Sequence, residues 1–501
     1  MTDCIIKSVK NRVGIHNMSE NKIAKDAFLI SFTKVLTITI SLVTSMLLAR
    51  FRTLDEYGTY SQITTVVSLA TSIFMLGLPN SLNYFIARSN SYEERDRFLS
   101  LYYLLITSLS AITGIVLYIG RPLIINYYSN DLIDKFWYCL LLLPWAQTVT
   151  AGVSNMMVST NSINRLIFYN ISRSICFLLL IISVQLFNGD FYSYMLFYIL
   201  LDVVFTLVVY NEALRVMSNI YFRFDYSNIK AILSFSIPIG LSSAVSTLNI
   251  QLDHLVIGNL FDTESLAIYS NAARELPFTI IATSFTAVLM PKMTRLFKDN
   301  KNAEAIIVWG KAIELNAIIL FFCAMVCVVF APQMITILYS NKYIDGVLIF
   351  RIYAIVLMLR ITYFGMILNT IGKTKYILYS SILSLVLNLV LNYSLANVFG
   401  MPGAALATVI SISVIQMAQL YASSKFIKIR FLNIFPWKNL AIIFAINFVI
   451  GTTTYLLLKG IHLGTDYKDI IISIFVGCGT LFIYALIMRK RFSQLLKWKT
   501  Q

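Results

Sequence analysis

The sequence predicts an all-α, polytopic membrane protein of about fourteen transmembrane helices, and three observations predict it. Of 501 residues 58% are hydrophobic and only 13% charged, with a mean hydropathy of +0.75; a soluble domain of this size could not hide so much apolar surface in one core. The apolar residues fall in blocks of about 20, the length a helix needs to cross about 30 Å of hydrocarbon, and not in the ten-residue alternating segments of a membrane barrel. The short links between blocks carry basic residues sorted by side, as the loops of a multi-pass helical protein do.

Taken in order, the blocks put crossings near residues 27 to 49, 59 to 85, 98 to 119, 136 to 158, 166 to 187, 191 to 211, 231 to 256, 265 to 290, 306 to 330, 347 to 370, 376 to 397, 402 to 424, 439 to 458 and 469 to 488. The first 26 residues hold Lys7, Lys10, Arg12, Lys22 and Lys25 but no apolar core followed by a small-residue cleavage site, so they read as a cytoplasmic tail and not a signal peptide. With fourteen crossings both termini share one side, and 27 of the 40 lysines and arginines fall on that side against 7 on the other. Both termini are therefore expected in the cytoplasm. The net charge of +16 then follows from topology and suits anionic inner-leaflet lipid; no basic stretch with interleaved aromatics forms a separate nucleic-acid-binding domain. Five of the six cysteines lie within crossings as small apolar side chains, and His16, His254 and His462 are far apart in the chain, so no disulfide, metal site or cofactor is expected.

Two stretches repeat. LLARFRTLDEYGTYSQ (47–62) aligns without gaps with VIGNLFDTESLAIYSN (256–271), pairing Tyr60 with Tyr269 and Ser61 with Ser270, and Arg165, Ile167 and Tyr169 match Lys375, Ile377 and Tyr379 at nearly the same offset of about 210. Six crossings separate the copies, an even number, which predicts two parallel six-helix bundles around a central cavity. The expected organisation is a tail (1–26), a first lobe (27–215), a linker (216–230), a second lobe (231–424), an interfacial connector (425–438), two further transmembrane helices (439–488) and a cytoplasmic tail (489–501). Loops this short leave no room for a soluble catalytic domain, so no enzymatic activity is expected.

Charges inside crossings are the informative residues, since each costs about 2.5 to 3.5 kcal/mol at mid-bilayer and must face a cavity or a partner. Arg274 and Arg360 lie too deep to snorkel and are candidates to line the cavity; Lys34 and Arg173 join them unless they reach the cytoplasmic face. Asp202, Asp253 and Glu275 are the acidic counterparts, read as structural ion pairs or as a coupling-ion site. Lys311 and Glu314 can pair along one helix face. Pro79, Pro238 and Pro277 mark expected helix bends, which are candidate moving parts.

The strings ARFRTLDEYGTYSQ, LGLPNSLNYFIAR (76–88), SFSIPIGLSSAVSTLNIQLDHLVIG, AIYSNAARELP, VLMPKM, ILNTIGKTKYILYS, LNLVLNYSL and GMPGAALAT resemble the polysaccharide-export (Wzx-type) flippases of the multidrug, oligosaccharidyl-lipid and polysaccharide exporter superfamily over about residues 25 to 425. The resemblance implies a bacterial inner-membrane flippase that moves an undecaprenyl-diphosphate-linked oligosaccharide, the repeat unit of O antigen, capsule or a related surface glycan, from the inner to the outer leaflet by alternating access. Glycan polymerase and chain-length regulator proteins are the partners it suggests beside membrane lipid. It also marks an acidic residue at the position of Asp253, and the deep basic residues fit a diphosphate. The alternatives are a cation-coupled drug exporter of the same superfamily, for which acidic cavity residues would be preferred, and a membrane glycan polymerase, for which the outer loops are short.

Overall fold

The computed structural model describes residues 20–221, 226–274, 276–460 and 467–497. Among these residues there is no strand. The helices are α1 (Glu20–Phe51), α2 (Leu54–Phe74), α3 (Leu78–Arg88), α4 (Tyr92–Ile119), α5 (Arg121–Tyr128), α6 (Leu132–Lys135), α7 (Trp137–Ala151), α8 (Val153–Ser159), α9 (Ile163–Leu186), α10 (Phe191–Val216) and α11 (Tyr226–Leu260). They continue as α12 (Thr263–Ala272), α13 (Thr279–Lys298), α14 (Asn302–Val329), α15 (Ala331–Tyr339), α16 (Val347–Leu359), α17 (Met366–Thr370), α18 (Thr374–Phe399), α19 (Met401–Ile427), α20 (Trp437–Gly460) and α21 (Tyr467–Lys497). Several start where the sequence supplies a cap: Ser91 accepts from Glu94 N–H at 3.1 Å, Asp190 from Ser193 at 2.9 Å and Asp262 from Ser265 at 2.7 Å, each satisfying a donor the first turn leaves open.

Among the described residues ten helices are long and apolar enough to cross a membrane, or eleven if the bent pair α2 and α3 is one crossing. The all-α polytopic class stands. The other expected crossings are each delivered in two pieces: α7 with α8, α12 with α13, and α16 with α17. The broken ones are thus the second, fourth, eighth and tenth of the fourteen, so each broken crossing of the first half has a counterpart six crossings later.

By contact the described chain forms two compact units, one of 20–51 with the described residues of 63–247 and one of 52–62 with the described residues of 248–497. This division differs from the expected lobe limits in three places, since the second unit also takes in the described residues after 424. Residues 52–62 pack within the second unit, and the limit near 247 falls inside α11 because the first half of that helix is fastened to the break between α2 and α3. There Leu76 and Gly77 both have positive φ, 51° and 69°. A Cβ on Gly77 would stand 2.5 Å from the backbone of Ser236 and Gly240, and one on Gly240 would stand 2.3 Å from Leu76, so only glycines allow the approach. The α2–α3 pair turns by 42° and Pro79 opens the second piece, where its missing N–H costs nothing. α11 continues through Pro238 without a break, whereas Pro277 sits in the non-helical stretch between α12 and α13.

Each unit has its own core. In the first, Leu82, Leu99, Tyr102, Ile106 and Met156 are fully buried; in the second, Trp309, Ile313, Leu320, Met366 and Ile443 are. The outside of the helices is apolar: on α18 Tyr379, Ile382, Leu383, Val386 and Val390 are exposed, while Ser380, Ser384, Asn388 and Asn392 are buried. A solvent of hydrocarbon explains this inverted pattern.

Replacing Gly240 by Ala should lower stability by about 1–3 kcal/mol through overpacking of a backbone contact. Thermal unfolding of the detergent-purified protein checks it, and an unchanged midpoint would mean that the α3–α11 approach has slack.

Candidate functional site

The buried polar stripe of α18 leads to Asp253. Serine and asparagine at 380, 384, 388 and 392 recur every fourth residue, so they share one helix face, and that face meets α11 and α19. Asp253, on α11, is 2% exposed. Its Oδ2 accepts from the Tyr269 hydroxyl at 2.8 Å, the Tyr353 hydroxyl at 2.6 Å and the Thr408 hydroxyl at 2.7 Å. Its Oδ1 accepts from Asn392 Nδ2 at 2.9 Å, and Asn392 also donates to Asn388 at 2.9 Å, which in turn donates to Asn249 at 3.2 Å. Five helices of the second unit thus converge on one carboxylate. All its donors are neutral, and among the described residues no arginine or lysine forms an ion pair with it. The Oδ1 of Asn392 is buried without a hydrogen-bond partner among the described residues. A buried carboxylate met by four neutral donors and no fixed cation is a polar junction that ties α11, α12, α16, α18 and α19 to one group.

Arg274 and Arg360 stand at corresponding places, one at each helix break of the second unit. Arg274 follows α12, is half-buried, and lines a small crevice with Leu276, Cys327, Phe350 and Tyr353. Tyr353 is the same side chain that donates to Asp253. Arg360 ends α16, where its N–H closes the last turn on Val356 at 3.0 Å, and its side chain is exposed. The break that follows is held by side chains: Gln416 donates to the Leu359 carbonyl at 2.8 Å, Asn316 to the Ile361 carbonyl at 2.9 Å and the Trp309 indole to Thr362 at 2.9 Å.

The remaining sequence candidates fall elsewhere. Lys34 is exposed on α1. Arg173 pairs with Asp202 at 2.7 Å in the first unit, with Asp202 buried and the guanidinium 5.2 Å from the Phe177 ring; both charges are engaged with each other. Glu275 lies outside the described residues. Glu314 is held by α20 and α21, accepting from Asn439 at 2.5 Å and Arg491 at 3.2 Å, so it fastens the two C-terminal helices to α14 in addition to anything within its own helix.

Two residues that the sequence alignment equates are in contact. Ser61 and Ser270, which the alignment of 47–62 with 256–271 equates, have their hydroxyls 2.7 Å apart within the second unit. Around them Gln62 donates to Thr263 at 3.4 Å, the rings of Tyr57 and Tyr343 meet edge to face at 6.3 Å, and Lys342 donates to the Arg52 carbonyl.

The neutral partners of Asp253 escaped sequence reading because Tyr, Asn and Thr are unremarkable singly in membrane helices. The four-residue period of polar residues on α18 was the signal that could have found them.

The chain matches the polysaccharide biosynthesis protein family over residues 47–348. It is 27% identical over 206 residues to the capsular polysaccharide biosynthesis protein CapF of Staphylococcus aureus, covering 40% of this chain and half the length of that curated relative. An uncharacterized membrane protein of Methanocaldococcus jannaschii is 24% identical over 379 residues, 72% of this chain and 88% of that one. Among solved structures the lipid II flippase MurJ in an inward closed conformation superposes with a TM-score of 0.71 at 18% identity, over 92% of this chain and 99% of that one. A MATE structure superposes at 0.55 and 16% identity, over 81% and 95%. The fold is that of these membrane transporters.

Two outcomes follow from the geometry. Asp253→Ala should destabilise the protein by several kcal/mol, because four donors lose their acceptor at about 1–3 kcal/mol for each one left buried, while Asp253→Asn retains an acceptor and should unfold within a few degrees of the parent. Cysteines at Ser61 and Ser270 should join on mild oxidation, read as a mobility shift on a non-reducing gel that vanishes with dithiothreitol; a pair that never joins would contradict the contact.

Proposed function

The chain belongs to the polysaccharide biosynthesis protein family, and from that premise we propose that it carries an undecaprenyl-diphosphate-linked oligosaccharide, a surface-glycan repeat unit, from the inner to the outer leaflet of a bacterial cytoplasmic membrane by alternating access. The observation that carries the reading is a family assignment to polysaccharide biosynthesis on a fold shared along 92% of the chain with a lipid flippase. Diffusion of such a molecule unaided would drag its sugars through hydrocarbon, so a protein with a polar path is required.

In this reading Arg274 and Arg360 attract the diphosphate. Arginine's planar fork matches phosphate oxygens two at a time, which an ammonium cannot. Their position at helix breaks gives them both reach and mobility, since chain outside a helix can alter its dihedrals at little cost. Lys34 is a third contributor as the lipid enters. Arg173, engaged with Asp202, stays with its partner. Binding must differ between the two orientations for transport to have a direction, and we assign that difference to Asp253, where a small coupling cation would alter the charge of a group that holds α11, α12, α16, α18 and α19 together. A glycan polymerase and a chain-length regulator are the expected consumers of the product.

Deleting the gene should remove a surface polysaccharide and leave lipid-linked repeat units in the cytoplasmic leaflet. In complementation, the Arg274→Ala, Arg360→Ala double variant should cut glycan assembly tenfold or more with membrane expression intact, and lysine at both positions should restore part of it. A normal surface glycan with new sensitivity to cationic drugs would favour the exporter alternative.

A further inference from the structure

Away from Asp253, the second unit carries a groove between α14, α16 and α20 with about 350 Å³ of open volume. Its walls are mainly apolar, with Met325 and Val329 from α14, Met358 from α16, and Phe444 and Phe448 from α20, beside the polar Asn447 and Thr452. Gly451 brings α20 down onto α14, since a Cβ there would stand 2.8 Å from Met325. From Phe444 to Tyr455 the groove follows eleven residues of helix, about 16 Å at 1.5 Å per residue, which is close to the hydrocarbon depth of one leaflet. At Tyr455 it opens into a second cavity of about 400 Å³ that shares Val329 and Arg351 with it and adds Gln333 and Lys459. The end is therefore polar and cationic. Arg351 Nε donates to the Val328 carbonyl at 3.1 Å, which fixes the guanidinium at the junction. Neither Arg351 nor Lys459 forms an ion pair among the described residues.

We propose that this groove is a binding site for an anionic diacyl phospholipid, its phosphate on Arg351 and Lys459 and one acyl chain lying from Tyr455 to Phe444. Charge complementarity selects the headgroup: two cations at the mouth of an apolar slot, with no acidic residue lining it, match a phosphodiester with net negative charge and gain little from a zwitterion. The length of the apolar stretch selects a chain that enters from one leaflet and stops near the midplane. Such a lipid would fill the space between α20 and the α14–α16 pair, a role independent of which molecule the protein transports.

The test is native mass spectrometry of the full chain in detergent with equal phosphatidylglycerol and phosphatidylcholine. One phosphatidylglycerol should be retained in preference by about five- to tenfold. Lys459→Gln, an exposed and structurally harmless change, should lower the preference severalfold, and Arg351→Gln with Lys459→Gln should abolish it. Thr452→Trp, which puts an indole on the groove wall, should strip both lipids. Millimolar inorganic phosphate should leave the retained lipid in place. A preference that survives Lys459→Gln, retention that survives Thr452→Trp, or displacement by phosphate alone would each overturn the proposal.

Discussion

Within hydrocarbon no water is present to hydrogen-bond an exposed carbonyl or N–H, so the chain can leave helical geometry only where protein supplies a replacement partner. The break after α16 shows how this is met: Gln416 and Asn316 take the carbonyls of Leu359 and Ile361, and Trp309 holds Thr362. At the α2–α3 break the peptide groups of Gly77 and Gly240 lie in direct contact, and Asn155 donates to the Pro79 carbonyl at 2.8 Å. The rest of the architecture depends on these substitutions. Broken crossings occur where neighbouring helices already cover them, and they leave polar side chains such as Arg274 and Arg360 in positions that an unbroken helix facing lipid would not tolerate.

The same solvent inverts the usual amphipathic logic. α18 hides serines and asparagines and exposes Leu383 and Val386, because lipid rewards apolar contact and offers nothing to an amide. Once a polar stripe is inside, each member needs a partner, and the requirement propagates from Asn249 through Asn388 and Asn392 to Asp253, Tyr269, Tyr353 and Thr408. Such a network makes the seam between α11, α18 and α19 specific in register. It also makes the seam sensitive to charge: altering one group alters the hydrogen bonding of every helix it joins. The Arg173–Asp202 pair in the first unit is a simpler solution, in which two opposite charges meet directly and the guanidinium also lies over the Phe177 ring.

Close helix approach is the third element. Gly58 meets the Thr263 backbone, Gly114 the Leu141 carbonyl and Gly403 the Leu395 carbonyl, each at a distance no Cβ would permit. Small residues let van der Waals contact substitute for the hydrophobic effect that lipid removes. Gly58 lies three residues before Ser61, so the approach that brings residues 52–62 into the second unit and the contact of the two repeat copies share one physical cause.

Hydropathy and charge by themselves determined that the chain is a helical membrane protein and where its apolar helices run, because the bilayer fixes the length of each apolar block. They also drew attention to Arg274, Arg360, Asp202 and Asp253, since a charge in an apolar block is costly wherever it lies. Only the tertiary structure decided which crossings are broken, that α11 runs through Pro238 while the chain leaves helical geometry around Pro277, that Arg173 is engaged with Asp202, and that Asp253 is met by hydroxyls and amides and not by a base. Those outcomes depend on which helices are neighbours, and neighbours in lipid are chosen by small residues and polar partners scattered over several hundred positions, a pattern with no local period except the four-residue stripe on α18.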